Sequence, residues 1–348
     1  MKRIVLTGGG SAGHVTPNLA LVPELKKHFK IYYIGTNGIE KTMLESYPDI
    51  TFKEISAVKL IRSLTLKNFK IPFKLLKSIK EAKILLKEIR PNIIFSKGGY
   101  VSIPVVIAAH SLKIPIISHE SDRTMGLANK IIKGYSNKMC ISFRETSNSK
   151  KCVYTGTPIR QEIFNGNILN AMHLAKFHKN KKTLLFMGGS LGSKVINNAV
   201  FKALPILIKK YNIIHIVGKN NLNKTFSYEN YYQLEFTNSI QDLFAFADFV
   251  ICRSGANTIF ELLALKKTML LIPLSKESSR GDQIENAKLF KKYGYANVLF
   301  EEDLSKDSLI KEIEKLITNE KSIINNMSKS PIINSNKKII DIICSYVN

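Results

Sequence analysis

Three glycine-rich turns stand where a short apolar run gives way to a helical pattern. They are Gly8-Gly9-Gly10-Ser11-Ala12-Gly13 after Ile4–Thr7, Gly98-Gly99-Tyr100 after Ile93–Lys97, and Gly188-Gly189-Ser190-Leu191-Gly192 after Thr183–Met187. Such turns let backbone N–H groups approach an anion, and the helix N-terminus that follows adds partial positive charge. The chemistry they suit is binding of a phosphate or diphosphate. Gly8-x-Gly10-x-x-Gly13 also matches the dinucleotide fingerprint, which requires an acid at the end of the second strand to hold a ribose. Here that strand ends Ile34-Gly35-Thr36-Asn37-Gly38, with no acid before Glu40. An oxidoreductase therefore lacks its ribose anchor. Tight strand–helix packing would explain one glycine turn, but three together point to a ligand.

Polar residues cluster beside these turns. His14 follows the first at the mouth of a helix, and His119-Glu120 closes an apolar run. Positions at the carboxyl ends of strands face the ligand crevice of open α/β sheets. The richest segment runs from Cys252 through Arg253-Ser254-Gly255 into a helix beginning near Ala256. Thr258 and Glu261 are three apart, so they share a face of that helix. A carboxylate accepts several hydrogen bonds and suits the paired hydroxyls of a ribose. Arg280-Gly281-Asp282-Gln283 follows the next apolar run and offers polar groups at the same edge.

The elements that must position these residues alternate along the chain. Ile4–Thr7, Ile31–Ile34, Ile93–Ser96, Ile114–Ser118 and Lys138–Ser142 read as strands, with helical stretches such as Asn18–His28 and Val101–Leu112 between them. The alternation resumes at Thr183–Met187, Ile213–Val217, Phe249–Cys252 and Met269–Pro273. This pattern specifies parallel sheets in an α/β protein. The two halves echo each other, as two Rossmann-like domains facing a central cleft would. The stretch from Pro158 to Lys182 carries no strand signal, so the expected division is 1–160, 161–331 and a C-terminal helix at 332–348 that packs back on one domain. The 348 residues suit two domains of ordinary size.

Lys and Arg number 52 against 27 Asp and Glu, a formal charge of +25. That balance points to an anionic partner, or to the Lys, Ile and Asn bias of an AT-rich genome. Nucleic acid fits poorly, because no reader motif is present and aromatics are not interleaved with the basic runs. Four scattered cysteines without metal-ligand spacing suit a reduced compartment. The N-terminal apolar run is too short for a signal peptide, and no run reaches the roughly 18 residues that span a bilayer. Membrane contact is therefore expected to be peripheral. Leu66–Ile89 is the candidate surface: Phe69, Phe73, Leu76 and Ile79 recur at helical spacing among Lys67, Lys70, Lys74, Lys77, Lys80, Lys83 and Lys87. A basic amphipathic helix of this kind suits anionic headgroups. Ile84–Ile89 reads instead as a core-facing stretch.

Taken in order, these motifs resemble the MurG family of bacterial transferases. The resemblance rests on the first glycine turn through His14 and Pro17, Gly98-Gly99-Tyr100, His119-Glu120-Ser121-Asp122, Gly156-Thr157-Pro158-Ile159-Arg160, Gly188-Gly189-Ser190, Arg253-Ser254-Gly255-Ala256 with Glu261, and Asp282-Gln283 with Asn286-Ala287. It covers nearly the whole chain. It implies a GT-B fold and inverting transfer of N-acetylglucosamine from UDP-GlcNAc to the MurNAc hydroxyl of lipid I, giving lipid II at the cytoplasmic face of the membrane, with no metal or other cofactor. Donor contacts would come from Ile240 to uracil and Glu261 to ribose. Ser190 and Arg160 would meet the diphosphate, and Thr258 and Gln283 the phosphate and sugar. Ser11, Gly13, Gly189, Ala256 and Asp282 complete the donor set. His14 is the expected catalytic base with Glu120 in reserve, and Gly98, Gly99, Tyr100 and Asp122 would meet the acceptor. The chain departs from the family pattern at Leu191, where Gln is frequent, at Asp122, where many members carry Asn, and at Lys266-Lys267-Thr268. The rivals on the same fold are a transferase with another lipid acceptor and a UDP-GlcNAc 2-epimerase.

Overall fold

The computed structural model describes residues 1–57, 71–178, 181–189, 192–331 and 335–347. These fall into two compact units: Met1–Arg160 with Asn334–Asn348, and Gln161–Ile333.

Unit 1 is built on a sheet of β1 (Lys2–Thr7), β2 (Phe29–Gly35), β3 (Ile50–Glu54), β4 (Ile93–Ser96), β5 (Ile116–Glu120), β6 (Lys138–Ile141) and β7 (Cys152–Tyr154). All neighbours pair in parallel, in the order β3-β2-β1-β4-β5-β6-β7. The intervening helices are α1 (Ala12–Leu25), α2 (Ile39–Leu44), α3 (Ile71–Ile89), α4 (Ser102–Ser111) and α5 (Leu127–Tyr135). Successive residues of a strand point to opposite faces, and both faces are covered. Ile4 and Leu6 of β1 pack with α1 and α2, while Val5 packs with α3, α4 and α5. Burial on both sides explains why the central strands read as continuous apolar runs rather than alternating ones.

Unit 2 repeats the plan with β8 (Thr183–Met187), β9 (Asn212–Ile216), β10 (Tyr231–Leu234), β11 (Phe249–Cys252), β12 (Thr268–Leu271) and β13 (Ala296–Val298). Their order is β10-β9-β8-β11-β12-β13, again parallel throughout. Its helices are α6 (Ile168–Ala175), α7 (Lys194–Leu207), α8 (Ile240–Phe246), α9 (Ala256–Ala264), α10 (Asp282–Lys292), α11 (Lys306–Thr318) and α12 (Glu320–Ser328). The last helix, α13 (Ser335–Ser345), returns to unit 1, where Ile339, Ile340 and Ile343 join the α1 side of the core. Asn336 fixes it by accepting from the Ile159 N–H at 2.8 Å and donating to the carbonyls of Ala20 and Ile159.

The strand order locates the chemistry. In each sheet the first strand, β1 or β8, has its sequence successor on one side and a later strand, β4 or β11, on the other. Such reversal points open a crevice at the carboxyl ends of the strands. The glycine turns after β1 and β4 in unit 1, and the turns after β8 and β11 in unit 2, all stand there.

One buried histidine in each unit has a consequence for stability. His215 on β9 is fully buried, bonded to Tyr231 Oη through Nδ1 and to Asn197 Oδ1 through Nε2. Burial pushes its pKa down to about 3. His119 on β5 donates from Nε2 to the Gly156 carbonyl at 2.8 Å. Burial and the nearby Lys97 charge hold its pKa well below the ordinary value. Each is neutral when folded but takes a proton near pH 6.5 when unfolded. Their contribution is therefore complete above about pH 6.5 and is lost as pH falls below it. Going from pH 7 to pH 5 should remove about 2 kcal/mol from unit 2 by linkage through His215, with a loss of the same sign from unit 1 through His119. Denaturant titrations at the two pH values check this, and unchanged midpoints would refute it.

Candidate functional site

In unit 1 the two glycine turns are pressed together. Gly10 has φ +81°, and a Cβ there would lie 2.4 Å from the Tyr100 ring. At Gly99, with φ +81°, a Cβ would meet the Gly9 carbonyl at 2.5 Å and His14 Cδ2 at 2.9 Å. Only glycine permits both the backbone conformation and this approach. The His14 ring therefore lies against the second turn, half-buried at the start of α1. Ser11 and Gly13 are exposed beside it, with the Ser11 carbonyl accepting from the His14 N–H at 3.1 Å.

Beneath the turns lies a polar floor that the sequence did not disclose. Glu40, at the start of α2, is fully buried. Its carboxylate accepts from the N–H of Gly10 at 3.3 Å and from the N–H and hydroxyl of Thr36 at 2.8 and 2.5 Å. The acid that stood too late to hold a dinucleotide ribose holds the glycine turn itself. Asn18 Nδ2 donates to the Thr7 carbonyl and to Tyr33 Oη, and that hydroxyl donates to the Gly8 carbonyl at 2.6 Å.

Glu120 ends β5 and is buried. Its carboxylate accepts three hydrogen bonds of 3.0 Å, from the N–H groups of Asp122 and Gly126 and from Asn129 Nδ2. It folds the 121–126 loop around itself, leaving Asp122 half-buried at the loop's start. Asn129 also packs against Gly98, whose φ is +90°. His14, Gly98, Gly99, Tyr100, Glu120 and Asp122 thus share the carboxyl edge of β1, β4 and β5. Arg160 is half-buried and is the last residue of unit 1's main segment.

In unit 2 the corresponding edge is bolted by Arg253, which the sequence placed in a motif without a role. Its buried guanidinium donates to the carbonyls of Ile272 and Pro273, both at 3.2 Å, and to Ser193 Oγ at 2.7 Å. It also pairs with Glu301. One side chain thereby fixes the loops after β11 and β12 and the N-cap of α7. The signal was an arginine directly after an apolar strand, but its partners lie 19 to 60 residues away in sequence. Ser254 Oγ donates to the Gln283 carbonyl at 2.8 Å, and Asn286 Nδ2 donates to the Ser254 carbonyl at 3.2 Å. These bonds bring the starts of α9 and α10 together. Ala256, Thr258 and Glu261 lie on the first two turns of α9, with Glu261 buried at 5% exposure. Gln283 Oε1 accepts from the Leu274 N–H at 3.1 Å, and Asp282 pairs with Arg280 at 3.1 Å. Gly189, with φ +91°, is exposed and has open space above its Cα. Ile240 is the first residue of α8, after edge strand β10. Ser190 and Leu191 lie outside the described residues.

Two parallel-sheet domains in one chain, each with its functional turns at a strand-order reversal, define the GT-B glycosyltransferase architecture. The chain matches the glycosyltransferase family 28 N-terminal domain over residues 4–141 and the family's C-terminal domain over residues 183–343. It is 52% identical over 353 residues to the UDP-N-acetylglucosamine–N-acetylmuramyl-(pentapeptide) pyrophosphoryl-undecaprenol N-acetylglucosamine transferase of Clostridium botulinum, covering 99% of each chain. The enzyme of that name from Clostridium novyi is 51% identical, over 99% of this chain and 98% of the relative. The chain belongs to glycosyltransferase family 28. Its fold is similar to the crystal structure of Acinetobacter baumannii MurG, with a TM-score of 0.79 at 23% identity over 99% and 100% of the two chains. It is also similar to a UDP-GlcNAc 2-epimerase from Neisseria meningitidis, with a TM-score of 0.67 at 13% identity over 99% and 100%.

Proposed function

We propose that this chain transfers N-acetylglucosamine from UDP-GlcNAc to the 4-hydroxyl of the MurNAc sugar of undecaprenyl-pyrophosphoryl-MurNAc-pentapeptide, with inversion at the anomeric carbon. The observation that carries this reading is the 52% identity, running the full length of both chains, to transferases of that name. The reading implies a mechanism. The acceptor hydroxyl oxygen attacks the anomeric carbon as the bond to the UDP oxygen breaks, and that electron pair leaves with the diphosphate. The hydroxyl proton passes to a ring nitrogen of His14. Unit 1 takes the acceptor against Gly98, Gly99, Tyr100 and Asp122, while Glu120 holds the loop. Unit 2 takes the donor, with Ile240 at uracil, Glu261 at ribose, and Thr258, Asp282 and Gln283 at phosphate and sugar. Ser190 and Arg160 are read as diphosphate contacts, joined by Ser11, Gly13, Gly189 and Ala256. Preorganised N–H donors and helix N-termini suit the negative charge that develops on departing UDP.

Incubating the purified chain with labelled UDP-GlcNAc and lipid I tests the reading: label should enter lipid II. Epimerised nucleotide sugar without acceptor, or label in another lipid only, would replace it with one of the rivals on this fold.

The acceptor's lipid calls for a membrane surface, and we place it on α3 at the cytoplasmic face. Among the described residues no helix is long and apolar enough to cross a membrane. Phe73 and Leu76 are 74% and 64% exposed, flanked by exposed Lys74, Lys77 and Lys80. Ile84, expected in the core, is 58% exposed and extends the same outer face. Ile79, on the same helical repeat, packs on the core with Leu75 and Leu85. Ser78, Ala82, Leu86 and Ile89 form the inward stripe, so the helix's apolar residues divide between two faces. Phe69 lies outside the described residues. Replacing Phe73 and Leu76 with Ser should abolish most sedimentation with anionic vesicles and spare transfer to a water-soluble acceptor analogue. High salt should weaken the parent's association, since exposed charges are screened. Unchanged sedimentation would move the surface elsewhere.

A further inference from the structure

Glu40 is fully buried, and glycines make the room for it. A Cβ on Gly9 would lie 2.6, 2.7 and 2.8 Å from its Oε1, Cδ and Oε2, and one on Gly35 would lie 2.8 Å from its Cγ. The carboxylate therefore rests against the Gly9 backbone at a distance that only glycine allows. Its two oxygens divide their partners. Oε1 accepts from the Thr36 N–H at 2.8 Å and the Thr36 hydroxyl at 2.5 Å, and Oε2 accepts from the Gly10 N–H at 3.3 Å. One side chain thus ties the loop after β2 to the turn after β1. The same two glycines meet the second turn. The Gly9 carbonyl lies 2.5 Å from where a Cβ on Gly99 would stand, and a Cβ on Gly10 would lie 2.4 Å from the Tyr100 ring. Gly99 in turn meets the His14 ring. The start of the first turn has a support of its own, the bond from Tyr33 Oη to the Gly8 carbonyl at 2.6 Å. An apolar side chain would fill the place of Glu40 without the cost of burying a carboxylate. What Glu40 adds is the acceptor for Gly10.

We infer that Glu40 is a positioning residue: it fixes Gly9 and Gly10 from beneath and so sets His14 and Tyr100 in place for the acceptor hydroxyl. This rests on the reading of His14 as the base and of unit 1 as the acceptor side. The effect falls on turnover, because a general base works only within hydrogen-bond reach of the proton it takes. Binding of UMP, whose uracil and ribose contacts are read in unit 2, does not depend on it.

Glu40→Gln in the full chain tests this, because it keeps the volume and replaces one acceptor oxygen with an NH2 donor. The two Thr36 donors, at the shorter distances, claim the amide oxygen, and the NH2 then faces the Gly10 N–H. Hydrogen–deuterium exchange should quicken over residues 8–14 and stay unchanged in unit 2. Turnover of a soluble lipid I analogue should fall by about 10²-fold, the cost of misplacing a reacting group by about 1 Å, while the dissociation constant for UMP stays at the parent's value. Thr36→Val removes one donor at the far end of the tie and leaves the Gly10 bond, so it should lower the denaturation midpoint and keep kcat close to the parent's. Faster exchange with unchanged kcat in Glu40→Gln would overturn the positioning role and leave Glu40 a structural residue. Equal losses of kcat in Glu40→Gln and Thr36→Val would overturn it as well, since the damage would follow the β2 loop and not the glycine turn. A parent chain that transfers nothing to the analogue would instead overturn the reading of the acceptor side, a failure visible before any variant is made. Should Glu40→Gln fail to fold, Glu40→Asp, a methylene too short to reach Gly10, carries the same comparison.

Discussion

His14→Ala should lower turnover by about 10²–10⁴-fold, the usual worth of a general base, while UDP binds as it does to the parent. In the proposed reaction the acceptor hydroxyl must lose a proton as it attacks, and an imidazole with an ordinary pKa of about 6.5 is the side chain suited to receive it near neutral pH. The ring's place supports this assignment. It lies against Gly99, on the second glycine turn, while its own helix begins at the first. Glu120 stands in reserve for a geometric reason: its carboxylate is buried and already accepts from Asp122, Gly126 and Asn129. The parent's rate should carry an acidic limb from protonation of this base, and that limb should vanish in His14→Ala. Pre-steady-state turnover against pH, with calorimetric titration of UDP, measures both. Turnover near the parent's would pass the role to Glu120, and lost UDP affinity would make His14 a phosphate contact.

The central strands were legible in the sequence because they are covered on both faces and leave uninterrupted apolar runs. Four strands were not: β3, β7, β10 and β13, which are the two edges of each sheet. They are three to five residues long, and every residue of β7 is half-exposed. Edge strands pair on one side only, so their polarity is mixed and their pattern weak. The start of α1 was legible from the turn, which put His14 at the mouth of a helix, while the helical pattern itself was read only from Asn18. The helix begins at Ala12 with Pro17 inside it. The turns and their polar neighbours could be named early, since glycine at a strand end is itself the signal. What holds them could not. Glu40, Asn129 and Arg253 act on partners that only the strand register brings within reach, and each looks like an ordinary surface or helix residue in one dimension.

Glu261→Ala should weaken UDP binding by about 10²-fold. Two ribose hydroxyls donating to one carboxylate are each worth at least about 1.5 kcal/mol, and about 3 kcal/mol in sum is two decades of affinity. The side chain stands on α9 one turn after Thr258, on a helix whose start is tied to α10 through Ser254, Gln283 and Asn286. Its presentation is therefore rigid, and little ordering remains to be done when the nucleotide arrives. Glu261→Gln keeps the shape but replaces one acceptor oxygen with an NH2 donor, so it should fall between Ala and the parent. UMP should lose affinity in the same proportion as UDP, because the ribose and not the second phosphate is the group affected. A carboxylate that served only to stabilise its own helix would behave differently: both variants would lower the denaturation midpoint and leave the dissociation constants unchanged. Calorimetric titration with UDP and UMP, alongside denaturant unfolding of the same preparations, separates these two outcomes.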